Sequence, residues 1–197
     1  MYCIDLLQFT FLHTFSAESV NGRETLQNSA LQGISEQENF MIRVLFICHG
    51  NICRSPMAEF ILKKKVTDLG IEGSFFIASA ATSTEEIWNG KGNPVYPPAR
   101  AELAKHGISC EGKTAVQLKK SDYAEYDYLI CMDTMNIRNA ERITGHKGGK
   151  IKLMLSFCGR NDSVIDPWYS NKFDDTYRDI DEGCDAFLNY LRENGQI

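Results

Sequence analysis

The 197-residue sequence lacks any stretch approaching the ~18 uninterrupted apolar residues of a membrane-spanning helix. It also lacks an excess of either charge. Its 21 Lys and Arg stand against 26 Asp and Glu, a formal net charge of -5, which argues against a nucleic-acid partner. The seven cysteines show neither the framework of a small disulfide-rich domain nor convincing zinc spacing. Seven is an odd number, and a chain of this length buries roughly two thirds of its unfolded surface without bridges. A cytoplasmic protein with free thiols is therefore expected, without a membrane or nucleic-acid partner. No metal or cofactor is expected either, and a monomer or weak dimer is the expected state.

Basic residues are nearly missing from residues 1–40, which hold Arg23 alone beside Asp5, Glu18, Glu24, Glu36 and Glu38. The opening stretch to Phe15 is apolar, yet no Lys or Arg precedes it and Asp5 and Gln8 interrupt it, unlike a secretory signal. Ser16 to Asn39 is polar and without sustained period. A second Met, at 41, opens the first convincing strand. Residues 1–40 thus read as a poorly ordered extension, an upstream start-site artefact being one explanation, and residues 41–197 as the domain.

From Met41 the pattern is regular. Ile42 to Ile47 is a short apolar run ending at Cys48-His49-Gly50, as a buried parallel strand would. Ser55 and Pro56 predict a capped helix start, with Ala58, Ile61, Leu62, Val66 and Leu69 as its apolar stripe and Gly70 as its stop. Further strands are expected at 75–79, 128–132 and 150–155. Helices are expected at Pro98 to Lys105, Asp133 to Ile143, and over the Ile180, Cys184, Phe187, Leu188, Leu191 stripe. Such alternation implies an α/β fold, a parallel sheet covered on both faces, whose ligands bind beyond the carboxyl ends of the strands.

The segment just after Ile47 reads Cys48-His49-Gly50-Asn51-Ile52-Cys53-Arg54-Ser55-Pro56. A loop curling at a helix N-terminus aims backbone N–H groups inward and adds the positive end of the helix dipole. Gly50 permits close approach, and Arg54 offers a planar, permanently charged fork for two phosphate oxygens. The same field favours the thiolate of Cys48 over its thiol, giving an oxyanion trap with a nucleophile at its floor. Read blandly, Cys48 is an inert core residue and Arg54 a surface ion-pair partner. The strand before, the glycine within and the helix after speak for the cradle.

This loop closely resembles the signature loop of the low-molecular-weight protein tyrosine phosphatases. The resemblance continues in order through Ser79-Ala80-Ala81-Thr82-Ser83, Gly92-Asn93-Pro94, His106-Gly107-Ile108, Met132-Asp133 and Asp166-Pro167-Trp168-Tyr169. It implies a four-stranded parallel sheet with helices on both faces (flavodoxin-like, three-layer) and hydrolysis of phosphotyrosine in proteins or of aryl phosphates. Cys48 is the implied nucleophile, forming a phosphocysteine. Arg54 with the loop amides from His49 to Ser55 holds the equatorial oxygens. Asp166 is the implied general acid and then base, on a loop stiffened by Pro167. Asn51, Ser55, Ser79 and His106 match positions that support the loop. Trp168 and Tyr169 should line the cleft and stack on a substrate ring. Cys48 and Cys53 match a pair that forms a reversible disulfide under oxidant. Where many relatives carry an aromatic residue this chain has Glu85, and it inserts Trp88-Asn89-Gly90-Lys91 soon after.

Two rivals share the fold. Arsenate reduction would need relay cysteines, but Cys110 and Cys131 are far apart in sequence and Asp166-Pro167 would be superfluous. Phosphoarginine hydrolases of the family carry threonine at the position of Ile52. A silent phosphate-binding module would be marked by loss of Cys48, Arg54 or Asp166, and all three are present.

Overall fold

A computed structural model describes residues 41–197; the expected extension at 1–40 lies outside the described residues. Strands β1 (Ile42–Cys48), β2 (Phe75–Ala81), β5 (Tyr128–Cys131) and β6 (Ile151–Leu153) form one parallel sheet in the order β2-β1-β5-β6. A small antiparallel pair, β3 (Ile87–Trp88) and β4 (Lys91–Gly92), stands apart from it. The helices are α1 (Arg54–Asp68), α2 (Pro97–Lys105), α3 (Asp122–Glu125), α4 (Thr134–Thr144), α5 (Pro167–Ser170) and α6 (Phe173–Glu193).

Strand alternation sorts the core into two layers. Val44 and Phe46 of β1 pack with Met57, Ile61 and Leu62 of α1 and with Ile180 and Phe187 of α6. Leu45 and Ile47, pointing the other way, pack with Leu129, Cys131 and Ala140. All five β1 positions from Val44 to Cys48 are buried, which is why the sequence shows a continuous apolar run there. Cys131 and Cys184 are wholly buried and pack into the core.

The strand order also locates a site. From β1 the chain moves to β2 on one side, and later returns to β5 on the other. The crevice at such a reversal lies beyond the carboxyl end of β1, where Cys48 sits.

Three local expectations change. The last strand is shorter than 150–155: β5 ends at Cys131, opposite Leu153, so no neighbour is left to pair with. The chain turns instead into a 3-10 helix, Met154–Cys158, which buries Met154 and Leu155 and brings Met154 against Gly183 of α6. The helix after the loop starts at Arg54, and Ser55 is not its cap, because its hydroxyl serves the site instead. Between the strand expected at 75–79 and the helix expected from Pro98, where the sequence suggests no element, the chain forms the β3–β4 hairpin. Asn89 (φ 49°) and Gly90 (φ 75°) supply the two left-handed residues of its turn. Gly92 is obligatory there, since a Cβ would lie 1.9 Å from the Ala115 carbonyl oxygen.

Candidate active site

Cys48 ends β1 and Arg54 opens α1, so the intervening loop is stretched over the N-terminus of a long helix. Asn51, wholly buried with φ 57°, makes the turn. It tolerates that left-handed backbone better than most residues, and here its side chain repays the strain. Its Nδ2 donates to Ser55 Oγ and to Ser79 Oγ, both at 2.8 Å, and its Oδ1 accepts from Val116 N at 2.9 Å. Cys48 Sγ in turn lies 3.0 Å from Ser55 Oγ and accepts from Asn51 N at 3.3 Å. With one Ser55 lone pair taken by Asn51, the Ser55 proton is free to point at the sulfur, which is the arrangement that stabilises a thiolate. Among the described residues, no protein acceptor takes the N–H groups of Gly50, Ile52 or Cys53, which leaves them free for an anion's oxygens.

Arg54 is only 4% exposed. Its Nη1 donates to Asp133 Oδ2 at 2.7 Å and its Nη2 to Asp166 Oδ2 at 2.6 Å. Burial opposes its charge, but the Cys48 sulfur and the two carboxylates more than offset it, so its pKa is raised above the ordinary value. Each carboxylate is itself fixed by capping a helix: Asp133 Oδ1 accepts from Asn136 N at 2.6 Å and Asp166 Oδ1 from Trp168 N at 3.0 Å. Cys53, beside them, is a different kind of thiol. Burial first, then the nearby Cys48 and Asp166 charges, push it up to about 12.

The cleft above Cys48 measures about 250 Å³ and is walled by Ile52, Glu85, Glu86, Trp168 and Tyr169. Trp168 is steadied by Tyr96, with ring centroids 5.4 Å apart. His49 turns out of the loop and pairs with Glu85 at 2.9 Å. Gly50 faces Glu86 so closely that a Cβ would lie 3.0 Å from Glu86 Cγ. A wider depression of about 460 Å³ lies beside α2, but its thiol, Cys110, is buried and held protonated by that burial. Among the described residues no group of His, Cys, Asp and Glu side chains is arranged to hold a metal ion.

His106 departs from its expected place. It ends α2, stacks on Tyr177 with centroids 3.6 Å apart, and approaches Glu102, not the loop. The position behind Ser79 belongs to Glu59 and Lys113. Ser79 Oγ donates to Glu59 Oε2 at 2.6 Å, and Lys113 Nζ lies 3.0 Å from the same oxygen and donates to the Ser79 carbonyl at 3.1 Å. Glu59 was legible as the acid one turn after Ser55 on a buried helix face; nothing local marks Lys113. Asp133 was readable as a helix cap, though not as the partner of Arg54.

A family model described as low molecular weight phosphotyrosine protein phosphatase matches residues 43–197. The chain is 40% identical over 151 residues to the low molecular weight phosphotyrosine protein phosphatase of Gallus gallus, covering 74% of this chain and 92% of that protein. It is 36% identical over 160 residues to YfkJ of Bacillus subtilis, named a low molecular weight protein-tyrosine-phosphatase, covering 80% of this chain and all of that one. The crystal structure of YfkJ superposes with a TM-score of 0.72, covering 78% of this chain and 96% of that chain at 35% identity. A Drosophila arginine phosphatase structure matches at 28% identity and a TM-score of 0.68, covering 76% and 98%. With its Cys48–Arg54 loop at the head of the first crossover and this likeness along residues 43–197, the chain belongs to the low molecular weight phosphotyrosine protein phosphatase family.

Proposed function

We infer that this chain hydrolyses phosphotyrosine in proteins through a phosphocysteine formed on Cys48. One observation carries the reading: Cys48 Sγ lies within hydrogen-bond reach of Ser55 and Asn51, at the mouth of a helix whose first residue is a buried arginine. The phosphate's equatorial oxygens take the loop amides and the Arg54 fork, displacing Asp166 from Nη2. Freed from the guanidinium, Asp166 takes up a proton from solvent; sulfur then attacks phosphorus in line, the phosphorus–oxygen bond opposite it breaks, and the Asp166 carboxyl gives that proton to the departing phenol oxygen. As a carboxylate it then activates the water that releases phosphate, while the Ser55 hydroxyl stabilises the returning sulfur anion.

Ile52, Trp168 and Tyr169 give the cleft flat apolar walls, which favour an aromatic leaving group over a guanidinium one. The test is a series of aryl phosphates with Asp166→Ala. The kcat/KM for phenyl phosphate, which reports the steps up to loss of the phenol and not the later hydrolysis, is expected to fall about 10²–10³-fold and that for dinitrophenyl phosphate far less, because only the poorer leaving group needs a proton. Equal slowing of all leaving groups would remove Asp166 from the acid role. Faster release of phosphate from phosphoarginine peptides than from phosphotyrosine peptides would shift the substrate class to the runner-up.

Cys53 supports a redox role. Its thiol stays protonated at neutral pH, so it is a reserve that closes on Cys48 only after oxidant has converted that sulfur to a sulfenic acid. Peroxide inactivation should be reversed by dithiothreitol in the natural protein and become largely irreversible in Cys53→Ser. Full recovery of that variant would exclude the pairing. Six described cysteines are free, which suits a reducing, cytoplasmic setting. No described helix is long and apolar enough to cross a membrane.

A further inference from the structure

The segment that delivers Asp166 is irregular, and irregular chain does not hold a carboxyl in place unaided. Its backbone is tied down at two neighbouring residues. Val164 N donates to the Met132 carbonyl at 2.9 Å, which fixes the segment to the end of β5. Ile165, next to the acid, is held on both of its backbone groups by α6. Thr176 Oγ1 lies 2.9 Å from the Ile165 carbonyl and 3.1 Å from the Lys172 carbonyl, and its single proton goes to the nearer of the two, while Ile165 N donates to Asp179 Oδ2 at 3.3 Å.

Both side chains are unusual where they are. Thr176 is fully buried and Asp179 is 8% exposed, on a helix face otherwise given to Phe173, Ile180 and Phe187. A buried carboxylate needs partners, and Asp179 has them: its other oxygen accepts from Arg160 Nη1 at 3.1 Å. Arg160 also pairs with Asp162 and Glu182. The segment from 160 to 165 is thereby bound to α6 through one guanidinium, two carboxylates and one hydroxyl. None of these groups lines the cleft.

We propose that Thr176 and Asp179 are positioning residues for the acid step: they clasp the Ile165 backbone and so aim the Asp166 carboxyl at the leaving oxygen. The proposal rests on Asp166 being the general acid. A hydrogen-bonded proton transfer tolerates little displacement of the donor, so loosening Ile165 weakens protonation while leaving sulfur attack intact.

The experiment compares Thr176→Val, Thr176→Ser and Asp179→Asn with the unmodified chain on phenyl phosphate and on dinitrophenyl phosphate. Valine keeps the shape and removes the donor; serine keeps the donor. Thr176→Val is expected to lose about tenfold in kcat/KM on phenyl phosphate and less than about twofold on dinitrophenyl phosphate, because kcat/KM reports the steps up to loss of the phenol and not the shared hydrolysis of the phosphocysteine. Thr176→Ser should restore the phenyl phosphate rate, and Asp179→Asn should fall between. A thermal midpoint for each variant reports folding separately, and a merely structural role would slow both substrates alike. If Asp166→Ala shows its leaving-group dependence but Thr176→Val slows both substrates equally, or neither, the clasp is overturned while the acid stands. Should Asp166→Ala itself show none, the acid assignment fails first, and the two failures are distinct.

Discussion

Cys48→Ser is expected to lower turnover of any aryl phosphate by about 10⁴-fold or more, because an alkoxide is far harder to generate than a thiolate in the same cradle. The loop should survive the exchange. Serine is smaller than cysteine, and the two groups facing position 48, the Ser55 hydroxyl and the Asn51 N–H, can donate to an oxygen as they do to sulfur. Arg54 keeps both carboxylate partners and its place at the head of α1. Binding should therefore persist while chemistry stops. Isothermal titration with a phosphotyrosine peptide, beside a rate assay, separates the two; loss of binding together with turnover would mean that the sulfur holds the loop rather than attacking.

Arg54→Lys is expected to cost on the order of 10³-fold in kcat/KM, although the formal charge is unchanged. A guanidinium reaches Asp133 and Asp166 through different nitrogens and can turn the same fork to two phosphate oxygens. An ammonium is a single point on a flexible stem. It cannot span the two carboxylates, so one of these part-buried groups loses its counter-charge. Vanadate, which mimics the crowded phosphorus of the displacement, should inhibit the variant far more weakly than the natural enzyme. An inhibition constant left unchanged would show that the loop amides suffice for the oxygens.

How much of this was readable beforehand differs from element to element. β1, the loop and α1 are local: an apolar run, a turn and a periodic stripe lie within 27 consecutive residues, Ile42 to Asp68, and each announces itself through its own neighbours. The α/β class follows from the same alternation. The ends were less legible because pairing decides them. Lys150 to Leu155 has the composition of a strand throughout, yet the ladder stops where β5 stops. The hairpin was marked by Asn89-Gly90, but its flanking strands are two residues each, too short for alternation to show.

The site divides in the same way. Cys48, Arg54 and the loop are contiguous and were readable as chemistry; Asp166 came only through resemblance, since Asp-Pro is also an ordinary turn. Ser55 drew two readings, a helix cap from its place and a support of the loop from resemblance, because a serine before a helix looks like a cap whether its hydroxyl faces the helix or a sulfur; the hydroxyl faces the sulfur. His106 and Lys113 exchange roles for a purely tertiary reason. The histidine finds Tyr177 to stack on, and the lysine stem reaches back beneath β2 to Glu59. No periodicity carries that information.

The span of Asn51 has one more consequence, for a chain still emerging from the ribosome. Its amide needs Ser55 from α1, Ser79 from β2 and the peptide N–H of Val116, partners drawn from 62 residues of sequence. Until the last of these has been synthesised and folded back, the left-handed turn has nothing to hold it. The growing polypeptide thus carries the sulfur without its cradle, and the chemistry is armed only when the sheet and the segment behind it have closed together.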